Sequence, residues 1–247
     1  MKLPKIIGHR GACGYAPENT LESIATAASL GINWVELDVK LTKDSVPIIF
    51  HDETLDRTSN GHGNVADMLY SDIEALDAGA WYGESFIGTK IPTLEEAIDV
   101  IFKHDLGLNL EIKPCPGREQ ETAEAALDIL SRVWDDKDKI LLSSFQHVSL
   151  EACLDMAPEY KRALLIHDQT ENWAELADYL EVTAINCRGS DNTFTREDIE
   201  SFLESERLVG CYTINDPFRA KTLFSWGVDY VFSDTPDVIE QSLNTKH

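Results

Sequence analysis

The sequence predicts an α/β fold, a (β/α)8 barrel of the TIM type, on three observations. Short apolar runs alternate with segments of helical period along the chain, which is the signature of parallel βαβ units. The length of 247 residues suits one large α/β barrel, although two small domains would also fit it. Charged and polar residues gather just past the ends of the apolar runs, where barrels of this kind build their sites.

Strands are expected at 5–9, 34–40, 108–113, 139–144, 162–167, 182–187, 208–214 and 229–233. The helices between and after them are expected near 19–30, 93–104, 120–134, 148–156, 171–180, 195–206, 216–226 and 236–243. Three helix starts carry chemistry that suits them: Thr93 before Leu-Glu-Glu, Thr195 before Arg-Glu-Asp, and Thr235 before Pro236 at a first helical position. Val46-Pro-Ile-Ile-Phe50 is a ninth apolar run with no helix before it. Lys43-Asp44-Ser45 reads as a turn, so this run is expected to fold back on strand 34–42 as a hairpin, 42 pairing with 47, 40 with 49 and 38 with 51. Parallel insertion into the barrel is the other arrangement open to it. The stretch from about 53 to 90, rich in Gly, Asp and aromatics, interrupts the rhythm and should form a small cap over the active face. Residues 1–247 thus read as one barrel domain with this insertion inside it, its last residues, 244–247, fraying.

A net charge of −23 disfavours nucleic acid and stable membrane association, because no basic stripe is present to displace counterions. An anionic substrate would need its cations concentrated in one cleft. No apolar run is long enough to span a bilayer, and Met-Lys-Leu-Pro-Lys passes directly into the first strand, so no signal peptide is expected. Five cysteines at irregular spacing, without a CxxC pair, suit a reducing compartment, and the protein reads as cytoplasmic.

The strand ends carry the chemistry. Glu36 and Asp38 lie two apart on one strand and leave the same face. With Glu111 they make an oxygen set for a single divalent cation, Mg²⁺ or Ca²⁺, while the lack of a Cys/His ligand cluster disfavours structural zinc. Taken alone, such acids more often belong to an ion-pair network. His9 and His51 each end an apolar run and are followed by a charged residue, which suits an acid–base pair better than two core hydrogen bonders. His62, His104, His147 and His167 lack that framing and read as loop or surface residues. Arg10 and Lys113 are the candidate phosphate-binding cations. Phe145, Thr213 and Asn215, at later strand ends, are possible substrate contacts, as is Trp81 in the insertion. Trp81, Tyr82 and Phe86 fit an apolar wall of the site or the packing of the insertion itself equally well.

In order along the chain, His9-Arg10-Gly11, Pro17-Glu18-Asn19-Thr20, Glu36-x-Asp38, Leu41-Thr42-x-Asp44, His51-Asp52, Arg57-Thr58-x-Asn60-Gly61, Glu111-Ile112-Lys113-Pro114, Ser143-Ser144-Phe145, Tyr212-Thr213-x-Asn215 and Ser233-Asp234-x-Pro236 resemble the glycerophosphodiester phosphodiesterase family, most of all its compact cytoplasmic bacterial members. Ser45 stands where that family more often has glycine. The resemblance implies a TIM-type barrel that hydrolyses glycerophosphodiesters to sn-glycerol 3-phosphate and an alcohol. It assigns the metal to Glu36, Asp38 and Glu111, acid–base work to His9 and His51, and phosphate binding to Arg10 and Lys113. Two other functions remain to be weighed: a lysophospholipase D-like activity, which would need an apolar groove or membrane-docking surface, and an inactive sugar-phosphate binding protein, which would have lost a histidine or a metal acid.

Overall fold

A computed structural model describes residues 3–168 and 171–244. The expected entry of residues 1–2 into the first strand and the fraying of 245–247 lie outside these described residues.

Nine strands form one sheet: β1 (Ile6–Gly8), β2 (Trp34–Leu41), β3 (Pro47–Ile49), β4 (Gly107–Ile112), β5 (Ile140–Ser144), β6 (Lys161–Ile166), β7 (Ala184–Arg188), β8 (Leu208–Tyr212) and β9 (Tyr230–Ser233). All but β3 run parallel in the order β1-β9-β8-β7-β6-β5-β4-β2, and a β1–β2 pairing closes the ring into a (β/α)8 barrel. The helices are α1 (Leu21–Ser29), α2 (Tyr70–Ile73), α3 (Leu94–Lys103), α4 (Glu119–Val133), α5 (His147–Met156), α6 (Trp173–Tyr179), α7 (Arg196–Glu204), α8 (Pro217–Ser225) and α9 (Pro236–Asn244). The barrel strands and their helices fall within two residues of the expected bounds. Thr93 and Thr195 close capping boxes with Glu96 and Asp198, and Thr20 does the same with Ser23.

Side chains alternate across each strand, and this sorts the core into layers. Val35, Leu37 and Val39 of β2 face outward into the layer beneath α1, α3 and α4. Trp34 faces inward and joins Ile7, Leu141, Ala163, Ala184, Tyr230 and Phe232 in an apolar plug inside the barrel. Glu36 and Asp38 lie on the same face of β2 as Trp34, displaced toward the C-terminal end of the strand. The apolar plug therefore forms a floor beneath the acids.

β3 pairs antiparallel with β2, so the hairpin is the arrangement adopted, but its register is one residue from the expected one: Leu41 pairs with Pro47, Lys40 with Ile48 and Val39 with Ile49. The turn accounts for the slip. Ser45 takes φ 63°, a left-handed conformation that glycine adopts at less cost, and Thr42 accepts the Ser45 N–H while donating its own N–H to Val46 O. The turn is thereby one residue shorter than expected, and the return strand shifts with it. A one-residue shift exchanges faces, so Ile49 packs beneath α3 while Ile48 and Phe50 enter a separate cluster with Leu55, Val65, Ile73 and Ile91. That cluster anchors the segment after His51, which is built from a turn at Val65–Asp67, α2 and a turn at Glu84–Phe86.

Candidate active site

The site gathers at the C-terminal mouth of the barrel, and β1 supplies its first residues. Gly11, at φ 84°, crosses so near α1 that a Cβ there would lie 2.4 Å from Ser23 Oγ, which demands glycine. Arg10, at φ 50°, turns its backbone N–H onto Glu36 Oε2 at 2.9 Å. Its guanidinium donates to Glu18 Oε1 at 2.7 Å and holds its Nε 3.5 Å from Asp38 Oδ2.

Glu36, Asp38 and Glu111 meet as the sequence leads one to expect. The parallel register sets Asp38 beside Glu111 on adjacent strands, and oxygens of all three residues lie within 4.8 Å of one another. All three side chains are buried. Burial, reinforced by Asp38, raises the Glu111 carboxyl to about 7. Burial also lifts Glu36 well above the usual range, with Asp38 and Glu111 adding to it. Burial pushes Asp38 the same way, but Arg10, Lys113 and His51 outweigh it and hold that carboxyl below the usual range. Asn19 clamps Asp38 from the side, donating Nδ2 to Oδ2 at 2.7 Å and accepting the Asp38 N–H at 3.2 Å. Among the described residues Glu36 Oε1 has no hydrogen-bond partner although it is buried. A buried carboxylate oxygen without a partner, beside two further carboxylates, is what a hard divalent cation would satisfy. The residues present fit such an ion.

Each histidine is backed by an aspartate. His9 Nδ1 lies 2.7 Å from Asp234 Oδ1, and its Nε2 sits 3.9 Å from Glu36 Oε2. His51 Nδ1 lies 2.6 Å from Asp52 Oδ1, and Asp52 is gripped in turn by Arg57 Nε at 2.7 Å and NH2 at 2.8 Å. Such a carboxylate fixes the ring's orientation and favours the proton on Nδ1, leaving Nε2 for chemistry. Burial, with Arg10 and Lys113 helping, holds His51 below its ordinary value despite Asp38 and Asp52. Arg57 also donates to both oxygens of Glu18, so one chain of ion pairs runs from Arg10 through Glu18, Arg57 and Asp52 to His51.

A cavity of about 260 Å³ opens over these groups. His9, Arg10, Glu36, His51, Glu111 and Lys113 give it a charged portion, while Phe145, Leu165, His167, Tyr212, Thr213 and Phe232 give it a largely aromatic one. Lys113 Nζ is 2.7 Å from Glu111 Oε1, 3.7 Å from Asp38 Oδ1 and 5.4 Å from the centre of the Phe145 ring. Phe145 packs edge-on against Tyr212, with centroids 5.9 Å apart.

The structure thus brings His9, His51, Arg10, Lys113, Glu36, Asp38 and Glu111 together, and Phe145 and Thr213 line the same cavity. Two expected contacts lie elsewhere among the described residues. Asn215 donates Nδ2 to Asp234 Oδ2 at 2.6 Å and accepts from Ser233 and the Asp234 N–H, so it steadies the partner of His9. Trp81 donates Nε1 to Ala78 O and stacks edge-on with Tyr82, which meets Phe86 in the same way. These three rings thus pack on one another within the insertion and are not among the residues lining the cavity. His167 is exposed in a loop as expected, yet it also faces the cavity and pairs with Arg188 NH1 at 3.2 Å. The residues missed were Asp52 and Asp234 as histidine partners, and Asn19 as the clamp on Asp38. Asp52 could have been suspected from its place next to His51, whereas Asp234 is 225 positions from His9 and becomes its neighbour only when the barrel closes.

Comparison with known proteins agrees with this geometry. The model of the glycerophosphoryl diester phosphodiesterase family matches residues 9–238. A curated glycerophosphodiester phosphodiesterase of Caldanaerobacter subterraneus is 34% identical over 95% of both chains. A phosphodiesterase of Oleispira antarctica, solved in complex with the product sn-glycerol-3-phosphate, superposes with a TM-score of 0.95 at 38% identity over 98% of both chains. A glycerophosphoryl diester phosphodiesterase homologue from Silicibacter pomeroyi superposes with a TM-score of 0.86 at 26% identity, covering 98% of this chain and 93% of its own. The buried carboxylates, the paired histidines and a match that runs through the whole barrel lead to one conclusion: the chain belongs to the glycerophosphoryl diester phosphodiesterase family.

Proposed function

We propose that the protein hydrolyses glycerophosphodiesters, the deacylated phospholipids, to sn-glycerol 3-phosphate and an alcohol. The observation that carries this reading is the presence of two aspartate-backed histidines and a buried carboxylate trio in one cavity. Its volume suits a glycerol phosphate better than a lipid with an acyl chain. The Oleispira relative, with its bound product, supports the same substrate class. The domain reading is part of the proposal: one barrel domain whose insertion, about 53–90, carries the ion pairs behind His51.

Glu36, Asp38 and Glu111 would hold one divalent cation, Mg²⁺ or Ca²⁺. When bound, the ion supplies a Lewis acid that offsets charge on the phosphoryl oxygens and acidifies a nearby hydroxyl. Arg10 and Lys113 grip the remaining phosphate oxygens, Arg10 with its planar fork and Lys113 as a point charge. The reaction forms one P–O bond to the incoming oxygen and breaks the P–O bond to the departing alcohol. His51, kept neutral by burial, accepts the proton of the incoming hydroxyl, and His9 donates one to the departing alkoxide. The hydroxyl is water, or the substrate's own neighbouring hydroxyl closing a cyclic phosphate that water then opens. The aromatic portion of the cavity, with Phe145 and Thr213, receives the uncharged part of the substrate. The five unpaired cysteines suit a reducing, cytoplasmic setting, and the charge of −23 is consistent with a small-molecule substrate rather than nucleic acid or a membrane surface. No described helix is long and apolar enough to cross a membrane.

The test is release of sn-glycerol 3-phosphate from glycerophosphocholine and glycerophosphoethanolamine by EDTA-stripped protein, before and after addition of Mg²⁺ or Ca²⁺. Release restored by metal is the expected result. Absence of release with either ion, while lysophospholipids are cleaved, would replace this substrate class with the acylated one.

A further inference from the structure

We propose that His9, Cys13 and Asp234 form a second cation site, selective for thiophilic divalent ions such as Zn²⁺ and Cd²⁺, whose occupation shuts the enzyme off. Ligand atoms of these three residues lie within 4.8 Å of one another. Cys13 Sγ and His9 Nδ1 both direct their protons to one atom, Asp234 Oδ1, at 2.9 and 2.7 Å, and lie 4.0 Å from each other. The other carboxylate oxygen is already held by Asn215 at 2.6 Å. The backbone keeps the group together: Gly14 donates its N–H to Asp234 O at 2.9 Å, and a Cβ at Gly14 would stand 2.7 Å from that oxygen. All three side chains are partly exposed, so an ion reaches them from solvent.

The donor set decides the ion. One thiol, one imidazole and one carboxylate favour a borderline or soft metal that accepts tetrahedral geometry, with water in the fourth place. The neighbouring trio offers oxygen alone and suits Mg²⁺ or Ca²⁺. On binding, the Cys13 thiol releases its proton to solvent and the sulfur becomes a thiolate ligand. The Nδ1 proton of His9 moves to Nε2 as Nδ1 takes the metal. His9 is then a neutral imidazole whose remaining Nε2 proton could leave only by forming an imidazolate, so it no longer protonates the departing alkoxide, and turnover stops. This inhibition rests on the role proposed for His9, whereas binding of the ion does not.

The experiment uses the full chain loaded with Mg²⁺, wild type and Cys13→Ser, with Cys13→Ala as a second variant should the serine protein fail to fold. Zn²⁺ is titrated against turnover, and Cd²⁺ against the ultraviolet cadmium–thiolate absorption, which needs no substrate. The wild type is expected to lose turnover and to develop the band. Cys13→Ser is expected to keep its turnover without zinc, to need at least about tenfold more zinc for the same inhibition, and to lack the band. Equal zinc sensitivity in both proteins would overturn the proposal and place the zinc on the carboxylate trio. A band of equal strength in both would assign cadmium to the other cysteines and overturn it as well.

Discussion

Asn19 offers a way to measure what the surroundings of the carboxylate trio contribute. It is buried, sits at φ 57°, and makes two hydrogen bonds to Asp38, one to the side chain and one from the backbone. Asn19→Ala removes a charge-assisted bond worth about 2 kcal/mol and leaves the buried Asp38 N–H unpaired at about 1–2 kcal/mol. Alanine also tolerates the left-handed conformation less well than asparagine, by about 1 kcal/mol. The sum is about 4–5 kcal/mol, and a water filling the space would return it to about 2–3 kcal/mol. Asn19→Gly loses the same bonds without the backbone strain, so the two variants separate the strain from the bonds. Urea unfolding in EDTA reads the stability, and Mg²⁺ titration by calorimetry reads the site. Loss of a group that orients a metal ligand typically weakens affinity by about 10- to 100-fold. If Asn19→Ala binds Mg²⁺ as tightly as the wild type, Asn19 does not orient Asp38 and the reasoning fails. If the alanine and glycine variants are equally unstable, the strain component is refuted.

His9→Ala and His51→Ala should each lower kcat by about 10²- to 10⁴-fold while the circular dichroism stays native; a near-normal rate in either removes that residue from the chemistry. Glu111→Ala should lose metal-dependent release of product, and unchanged calorimetric affinity for Mg²⁺ would dismiss it as a ligand. Trp81→Ala should lower the melting temperature and leave the preference among head groups unchanged, because its ring packs within the insertion; a changed preference, measured as kcat/KM on two substrates, would place it against the ligand after all. Asp52 is held below the usual carboxylate range by hydrogen bonds from Arg57 and His51. A carboxyl lowered on folding stabilises the protein above its unfolded value, near pH 4, and that stabilisation fades as the pH falls below it. Arg57→Ala should therefore cost most at pH 7 and progressively less as the pH falls below about 4 toward the folded value, and a cost independent of pH between melts at about pH 7 and about pH 2 would contradict the assignment.

The barrel was legible because the parallel strands, covered on their outer face by helices and filled on their inner face by the apolar plug, read as largely apolar runs, such as Ile140-Leu-Leu or Ala163-Leu-Leu-Ile166. The trio was legible for a similar reason: two acids inside an otherwise apolar strand contradict its burial unless something compensates them. The insertion was not, since Val65–Asp67, Tyr70–Ile73 and Glu84–Phe86 are too short for any period to show. The hairpin slipped by one residue because sequence does not announce that Ser45 will take a left-handed conformation. Asn215 was placed against substrate because an amide at a strand end suits a ligand and a neighbouring carboxylate equally well. Only the closed ring, which sets β8 beside β9, chooses Asp234.

That ring has a consequence for the making of the protein. His9 leaves the first strand and Asp234 the last, and they become neighbours only when β1 pairs with β9. A ribosome therefore releases almost the entire polypeptide before His9 can meet Asp234. A chain truncated before Asp234 lacks the partner of His9, even though its buried carboxylates at 36, 38 and 111 have long since emerged. The aspartate that orients His9 is thus among the last side chains to be made, so the arrangement at His9 is completed only with the finished barrel.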